Sequence, residues 1–272
     1  MLCRSRLLPE RHTPGFMTPV LGPKHPRIAE LRRLFGRRSS RSPEIILEGP
    51  RTVGEALDAG HMPTTVLVPE SKVDHGEIRS VQSRLSDNVE YLVLRDHLFD
   101  KFAPSVTPQP MLAIVPRPQS ELPIEASEDD VFLVLIDVSD PGNVGTLIRA
   151  ADAVAARAVI VAGGADPWGT KAVRSSAGSV LRVPVISGID ASDAIDALQA
   201  IGVRVVGTNV HSGEPHDGGV LARPCAIVLG SEPHGLDNET GVDEWCRIDM
   251  PGRTESLNVA MAGTLLLYQA VR

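Results

Sequence analysis

No run of eighteen or more uncharged apolar residues occurs in the sequence, which argues against a membrane-spanning helix. The opening residues, MLCRSRLLPERHTPGFMTPV, put prolines and charges where a secretion signal needs an apolar block, so the expectation is a soluble, cytoplasmic protein. Cysteine is scarce: Cys3, Cys225 and Cys246 form neither a Cys-x-x-Cys pair nor a Cys/His ligand spacing, and they read as free thiols with no metal site. Aromatics are few at 3%, yet apolar residues reach 42%, enough in 272 residues for one or two cores.

Several nucleotide and nucleophile signatures are also missing. GADPWGTK nearly spells a phosphate-cradling loop, with Gly164 and Gly169 correctly spaced, but Thr170 stands where that loop needs its lysine. Pro167 lacks an N–H to aim at a phosphate. No G-x-G-x-x-G follows an expected strand, no G-x-S-x-G elbow occurs, and His234 beside Glu232 has no nucleophile motif to serve.

What is present is divided by charge. The net charge is −7 overall, but residues 1–41 carry ten basic side chains against Glu10 and Glu30, net +8, and the remainder carries 17 basic against 32 acidic, net −15. A polyanionic partner would meet the basic N-terminal segment first, through phosphate neutralisation. A solvated basic tail accounts for the same run.

Residues 1–23 are expected to form a basic flexible arm and residues 24–116 a small α/β domain. EIILEGPRTVGEALDAG reads as a strand and a helix, TTVLVPES and EYLVLR as further strands, DHLFDKFAPS as a short helix and PQPMLAIVPR as a closing strand. Residues 117–130, RPQSELPIEASEDD, are proline-bearing, acidic and aperiodic, and are expected to be a linker. From residue 131 to 272, continuous apolar runs (VFLVLIDV, RAVIVAG, VRVVGTNV, CAIVLG) alternate with helical stretches, the pattern of a mostly parallel sheet flanked by helices. Ligands of such sheets gather where the carboxyl ends of strands give way to loops.

Three post-strand segments invite a closer look. In IDVSDPGNVGTLIRAADAVA the strand is expected to end at Asp137 or Val138 and Asn143 to cap a helix from Val144; capping explains Asn143 but not Arg149, one of the few charges in an otherwise small and apolar helix. Pairing with an acid or simple exposure would serve Arg149 equally. CAIVLGSEPHGL ends a strand on Gly230, where an absent Cβ would let a ligand approach, and continues with Ser231 and Glu232. IDMPGRTESLNVAMAG suggests a strand end at Ile248, Ser256 as the cap of the last helix, and Asn258 inside it, where Asn is a poor helix former.

DPGNVGTLIRAADA, VLGSEPHGL and SLNVAMAG, in that order, resemble the three motifs of the SpoU family of RNA ribose 2′-O-methyltransferases, members of the knotted SPOUT class. KAVRSSAGSVLRVPV also matches the family, and KHPRIAELRRL, ILEGPRTVGEAL and FAPSVTPQPMLAIV are similar to the ribosomal-protein-like RNA-binding domain that many members carry. The resemblance runs from about Lys24 onward. Ala155 and Ala156, Pro233 and the IDMPG run depart from the usual pattern without removing a motif polar residue.

The resemblance implies an α/β fold with a deep trefoil knot, a homodimer joined through the first-motif helix and the C-terminal helix, and S-adenosylmethionine as cofactor. It implies methyl transfer to a ribose 2′-hydroxyl of RNA, with ribosomal RNA favoured over transfer RNA and over a non-catalytic RNA-binding or assembly role. The implied catalytic set is Asn143, Arg149, Glu232, Ser256 and Asn258; the implied cofactor contacts are Thr208, Gly230, Ile248 and Leu257. A guanidinium stays protonated and has no acceptor, so Arg149 suits RNA phosphate better than a general-base role.

Overall fold

Strands form where β-branched and aliphatic residues run together, and the computed structural model shows two sheets built from them. It describes residues 19–36, 42–105, 107–231, 235–237 and 240–272. The first sheet contains β1 (Val20–Leu21), β2 (Glu44–Glu48), β3 (Thr65–Pro69), β4 (Glu90–Leu94) and β5 (Leu112–Pro116), in the order β1-β4-β3-β5-β2. β1, β4 and β3 are parallel, and β5 runs antiparallel to both β3 and β2. Four helices accompany it: α1 (Pro26–Gly36), α2 (Pro50–Asp58), α3 (Gly76–Gln82) and α4 (Asp96–Phe99). α2 begins on Pro50, whose fixed φ suits the first helical position, after Gly49 at φ 96°.

The second sheet is parallel throughout. Its strands are β6 (Val131–Ile136), β7 (Ala158–Ala162), β8 (Val185–Ser187), β9 (Arg204–Thr208), β10 (Glu214–Pro215), β11 (Cys225–Leu229) and β12 (Glu244–Arg247), ordered β10-β12-β9-β11-β6-β7-β8. Its helices are α5 (Pro141–Ala153), α6 (Thr170–Ser175), α7 (Ala191–Ala200) and α8 (Val259–Ala270). Successive strand residues point to opposite faces. Leu133, Leu135, Ile227 and Leu229 therefore pack with Leu147, Ile148, Leu266 and Leu267 of α5 and α8, while Phe132, Val134, Ala226 and Val228 pack with Ala194, Ile195 and Leu198 of α7. The α5/α8 core is continuous with one face of the first sheet through Ile45, Leu47, Val53 and Met111.

Polar contacts tie the domains together. Arg182 bridges Glu55 on α2 and Asp152 on α5, the latter at 2.8 Å, and the His61 ring lies 2.9 Å from the Leu181 carbonyl. Arg117 donates to Ser187 Oγ at 2.6 Å.

Several boundaries differ from the sequence reading. β6 ends at Ile136, because Asp137 turns the chain at φ 53°. α5 starts at Pro141 with Asp140 as its N-cap, so Asn143 lies in the first turn. Likewise α8 starts at Val259 with Asn258 as its cap, and Ser256 precedes the helix. The last strand before it is β12, ending at Arg247 rather than Ile248. α3 and α7 were not anticipated. Val20 and Leu21, within the stretch expected as an arm, pair with Val93 and Leu94 and so extend the first sheet; residues 1–18 lie outside the described residues. Residues 117–130 contain no helix or strand, and Leu122 and Ala126 within them pack against the α7-side core.

Candidate active site

Two helix N-termini meet at the carboxyl edge of the parallel sheet. At α5, Asp140 Oδ1 accepts hydrogen bonds from the backbone N–H of Gly142 at 2.6 Å and of Asn143 at 3.0 Å. These satisfy donors that a helix start leaves unpaired. Its Oδ2 takes an ion pair from Lys171 Nζ at 2.7 Å, and that bond, followed by the Asn143 N–H, holds the Asp140 carboxyl below its ordinary pKa. At α8, Asn258 Oδ1 accepts from the N–H of Ala260 at 3.0 Å and of Met261 at 3.4 Å. Its amide nitrogen donates to Asn143 Oδ1 at 3.2 Å. One side chain thus starts the last helix and links it to the first-motif helix.

Close packing fixes this meeting point. A Cβ on Gly145 would collide with the backbone of Ala172 and Ser176, and one on Gly263 would overlap Leu147 and Leu229. Only glycine lets α6 and α8 approach α5 this closely.

A cavity of about 620 Å³ opens beside the joined helix starts, between the ends of β9, β11 and β12. Thr208, Gly230, Ile248, Leu257, Ser256 and Asn258 all line it. Its described walls contain no Lys, Arg, Asp or Glu, so no fixed cation there would repel a sulfonium. The walls combine aliphatic surface with hydroxyls, amides and backbone ends, a mixture suited to a nucleoside-sized ligand. Thr208 Oγ1 donates to the Val228 carbonyl at 3.0 Å, fastening β9 to β11. Asn209 Oδ1 accepts from the N–H of His211 at 2.8 Å and of Ser212 at 3.1 Å, folding the next loop over the rim. Burial pushes the Cys246 thiol up to about 11, so the one sulfhydryl in the walls is neutral and no nucleophile at physiological pH.

The structural reason for Gly230 differs from the one expected. A Cβ there would strike the Gly235 carbonyl, so the glycine is required by the chain's own turn, which Ser231 and Gly235 close as a bridge.

The expected catalytic residues do not all converge within one chain. Ser256 and Asn258 line the cavity, and Asn143 touches Asn258. Arg149 lies on the exposed face of α5, away from the cavity lining, with no ion-pair partner among the described residues. Glu232 lies outside the described residues. Lys171 and Asp140 escaped the sequence reading of the site, although Asp before Pro is a helix-start signature that could have revealed the cap. Asn209 and His211 carried no local signal beyond following a strand.

The chain is similar to known proteins over both domains. The SpoU rRNA Methylase family model matches residues 130–268, and the MRM3-like substrate binding domain matches residues 25–113. The chain is 29% identical to the 23S rRNA (guanosine(2553)-2′-O)-methyltransferase RlmP of Bacillus subtilis (strain 168), over 93% of this chain and 98% of that one. It is 30% identical to the 23S rRNA (uridine(2479)-2′-O)-methyltransferase of Streptomyces viridochromogenes, over 92% and 90%. The AdoMet-bound rRNA methyltransferase from Sinorhizobium meliloti superposes with a TM-score of 0.80 at 28% identity, covering 92% of this chain and 96% of that one. For the SpoU methyltransferase AviRb from Streptomyces viridochromogenes in complex with AdoMet the TM-score is 0.79 at 29% identity, covering 91% and 97%. With matched motifs at the joined helix starts and a shared fold over both domains, this chain belongs to the SpoU rRNA methylase family.

Proposed function

We infer that this protein methylates a ribose 2′-hydroxyl of ribosomal RNA, using S-adenosylmethionine. The observation that carries the reading is the cavity at the carboxyl edge of the parallel sheet, whose described walls hold no Lys, Arg, Asp or Glu, with Asn258 at its mouth tied to Asn143. When bound, S-adenosylmethionine would supply an electrophilic methyl: the O–CH3 bond would form as the S–CH3 bond breaks, S-adenosylhomocysteine would leave, and the hydroxyl proton would pass to water. Thr208, Gly230, Ile248 and Leu257 form the cofactor walls. Ser256 and Asn258 orient the incoming hydroxyl, and Asn143 keeps the Asn258 amide in place. Alignment of donor and acceptor is a large contribution to such a transfer. Glu232 joins this set by its motif position.

Arg149 acts on the RNA phosphate beside the reactive ribose, for which its forked geometry is suited. Because it lies off the cavity of its own chain, it serves the cavity of a second copy in a homodimer. An unpartnered stripe on α8 supports that assembly: Met261, Leu265 and Tyr268 are 61%, 37% and 51% exposed at one-turn spacing. Residues 24–116 bind RNA and residues 131–272 carry the reaction, joined by 117–130, with 1–23 as the basic arm. The cytoplasm, where ribosomal RNA is made available, is the compartment this activity calls for.

Calorimetric titration with S-adenosylmethionine, paired with a methyl-transfer assay on ribosomal RNA, tests the function. Binding and transfer are expected, and Arg149→Ala should lower transfer by about a hundredfold or more with cofactor affinity unchanged. No binding heat and no thermal shift in the parent protein would sink the reading. Light scattering should report a dimer.

A further inference from the structure

We propose that the cleft between the two domains is a second RNA subsite, which holds an unpaired nucleotide neighbouring the one that is methylated. The inference rests on the methyltransferase reading. The cleft encloses about 780 Å³, within the size range of small-ligand sites. Leu34 of α1, Ile45 and Ile46 of β2 and Ile114 of β5 give it an apolar floor, and Trp168 and its neighbours wall it from the other domain. β2 is an edge strand, so its own sheet leaves that flank uncovered.

Two features make the cleft more than a gap. The Arg117 guanidinium lies over the Trp168 ring, 5.4 Å from its centroid, and is anchored by its bond to Ser187. The indole N–H of Trp168 is buried and has no hydrogen-bond partner. Proteins read single-stranded RNA by stacking unpaired bases on aromatic rings and arginine planes and by hydrogen-bonding base edges. Trp168 is itself 6% exposed, so it backs Arg117, and the half-buried Arg117 guanidinium is the plane offered to a base.

The charge of the walls is balanced, and the outer end of the cleft is where it turns positive. Arg27, Arg33 and Arg117 face Glu30, Glu44 and Asp166; Glu30 pairs with Arg27, and Asp166 accepts the Trp168 backbone N–H. At the end of α1, Arg32 and Arg33 are exposed, and no carboxylate among the described residues pairs with either. A phosphate backbone would meet this positive rim while a base enters the apolar interior.

Position connects the cleft to the reaction. Gly169 and Thr170 line it, and the next residue, Lys171, grips Asp140, which caps the helix that brings Asn143 to Asn258. No lining residue is shared with the cofactor cavity, yet this short chain of contacts joins the two.

The test uses full-length protein carrying Trp245→Phe, which leaves Trp168 as the sole tryptophan, and single-stranded oligouridylate as the probe. RNA addition should change Trp168 emission, and Arg117→Ala should weaken RNA binding about tenfold, as expected for loss of one stacking partner. Arg33→Glu, at an exposed position that cannot disturb the core, should weaken it severalfold. Calorimetric affinity for S-adenosylmethionine should stay constant in both variants. RNA binding with unchanged Trp168 emission and with Arg33→Glu at parental affinity would overturn the cleft and leave the methyltransferase reading intact. Failure of the parent to bind the cofactor would overturn that reading, and this inference with it.

Discussion

The first domain spends its charge in pairs, Arg27 with Glu30 and Glu90, Arg79 with Asp74, Arg84 with Asp58, whereas the second gathers amides and hydroxyls into a cavity whose described walls hold no Lys, Arg, Asp or Glu. Strand direction explains much of the difference. In the mixed first sheet β5 opposes β3 and β2, so its connections are divided between two edges. In the second sheet every strand runs the same way, and all carboxyl ends deliver their loops to one edge. A parallel sheet concentrates neutral polar groups where a reaction can use them; the mixed sheet leaves a broader surface for holding a large substrate.

The contrast breaks most severely at Gly145. Gly145→Ala should cost about 3 kcal/mol, because the added methyl meets backbone of α6 that cannot rotate away; thermal denaturation should show this loss, while Gly54→Ala in the first domain, with only the Arg84 side chain near, should change little. Next comes Lys171→Met, expected to lower turnover about tenfold by loosening the α5 start, with cofactor affinity kept and activity partly restored by Lys171→Arg. It carries a pH signature as well. The Asp140 carboxyl titrates lower folded than unfolded, so its contribution is present above the ordinary carboxylate range, near pH 4, and is lost as pH falls through the folded value. Lys171→Met should therefore move acid unfolding to higher pH, and an unchanged acid limb would contradict the role given to the pair. The smallest effect belongs to the domain junction: Arg182→Ala should cost roughly 1 kcal/mol, since the side chain is 36% exposed, with turnover on RNA falling more than cofactor affinity.

The parts of the fold legible in the sequence were those governed by composition. β6, β7, β9 and β11 are uninterrupted aliphatic runs, and both sheet faces are covered as such runs require. β12, EWCR, holds only two apolar residues between charged ones, and the strand end expected at Ile248 falls one residue beyond it. The helix starts were misplaced by two or three residues because Ser256 and Asn143 are as good capping types as Asn258 and Asp140, and only the backbone path decides between them. The cavity residues were named from motif resemblance; that Thr208, Ile248 and Leu257 come together depends on β11 inserting between β9 and β6, which no local pattern encodes. Arg149 was expected in one catalytic set with Asn143, but six positions along a helix carry a side chain well around and along the axis, out to solvent.

The bond from Asn258 to Asn143 has a further consequence. Fraying of one helical turn at Ala260 and Met261 would release the same amide that holds the neighbouring helix, so the reaction geometry should vanish in local openings far cheaper than global unfolding. Turnover in this protein should therefore fade on warming before the cooperative melt begins, with amide exchange at those two residues reporting the loss.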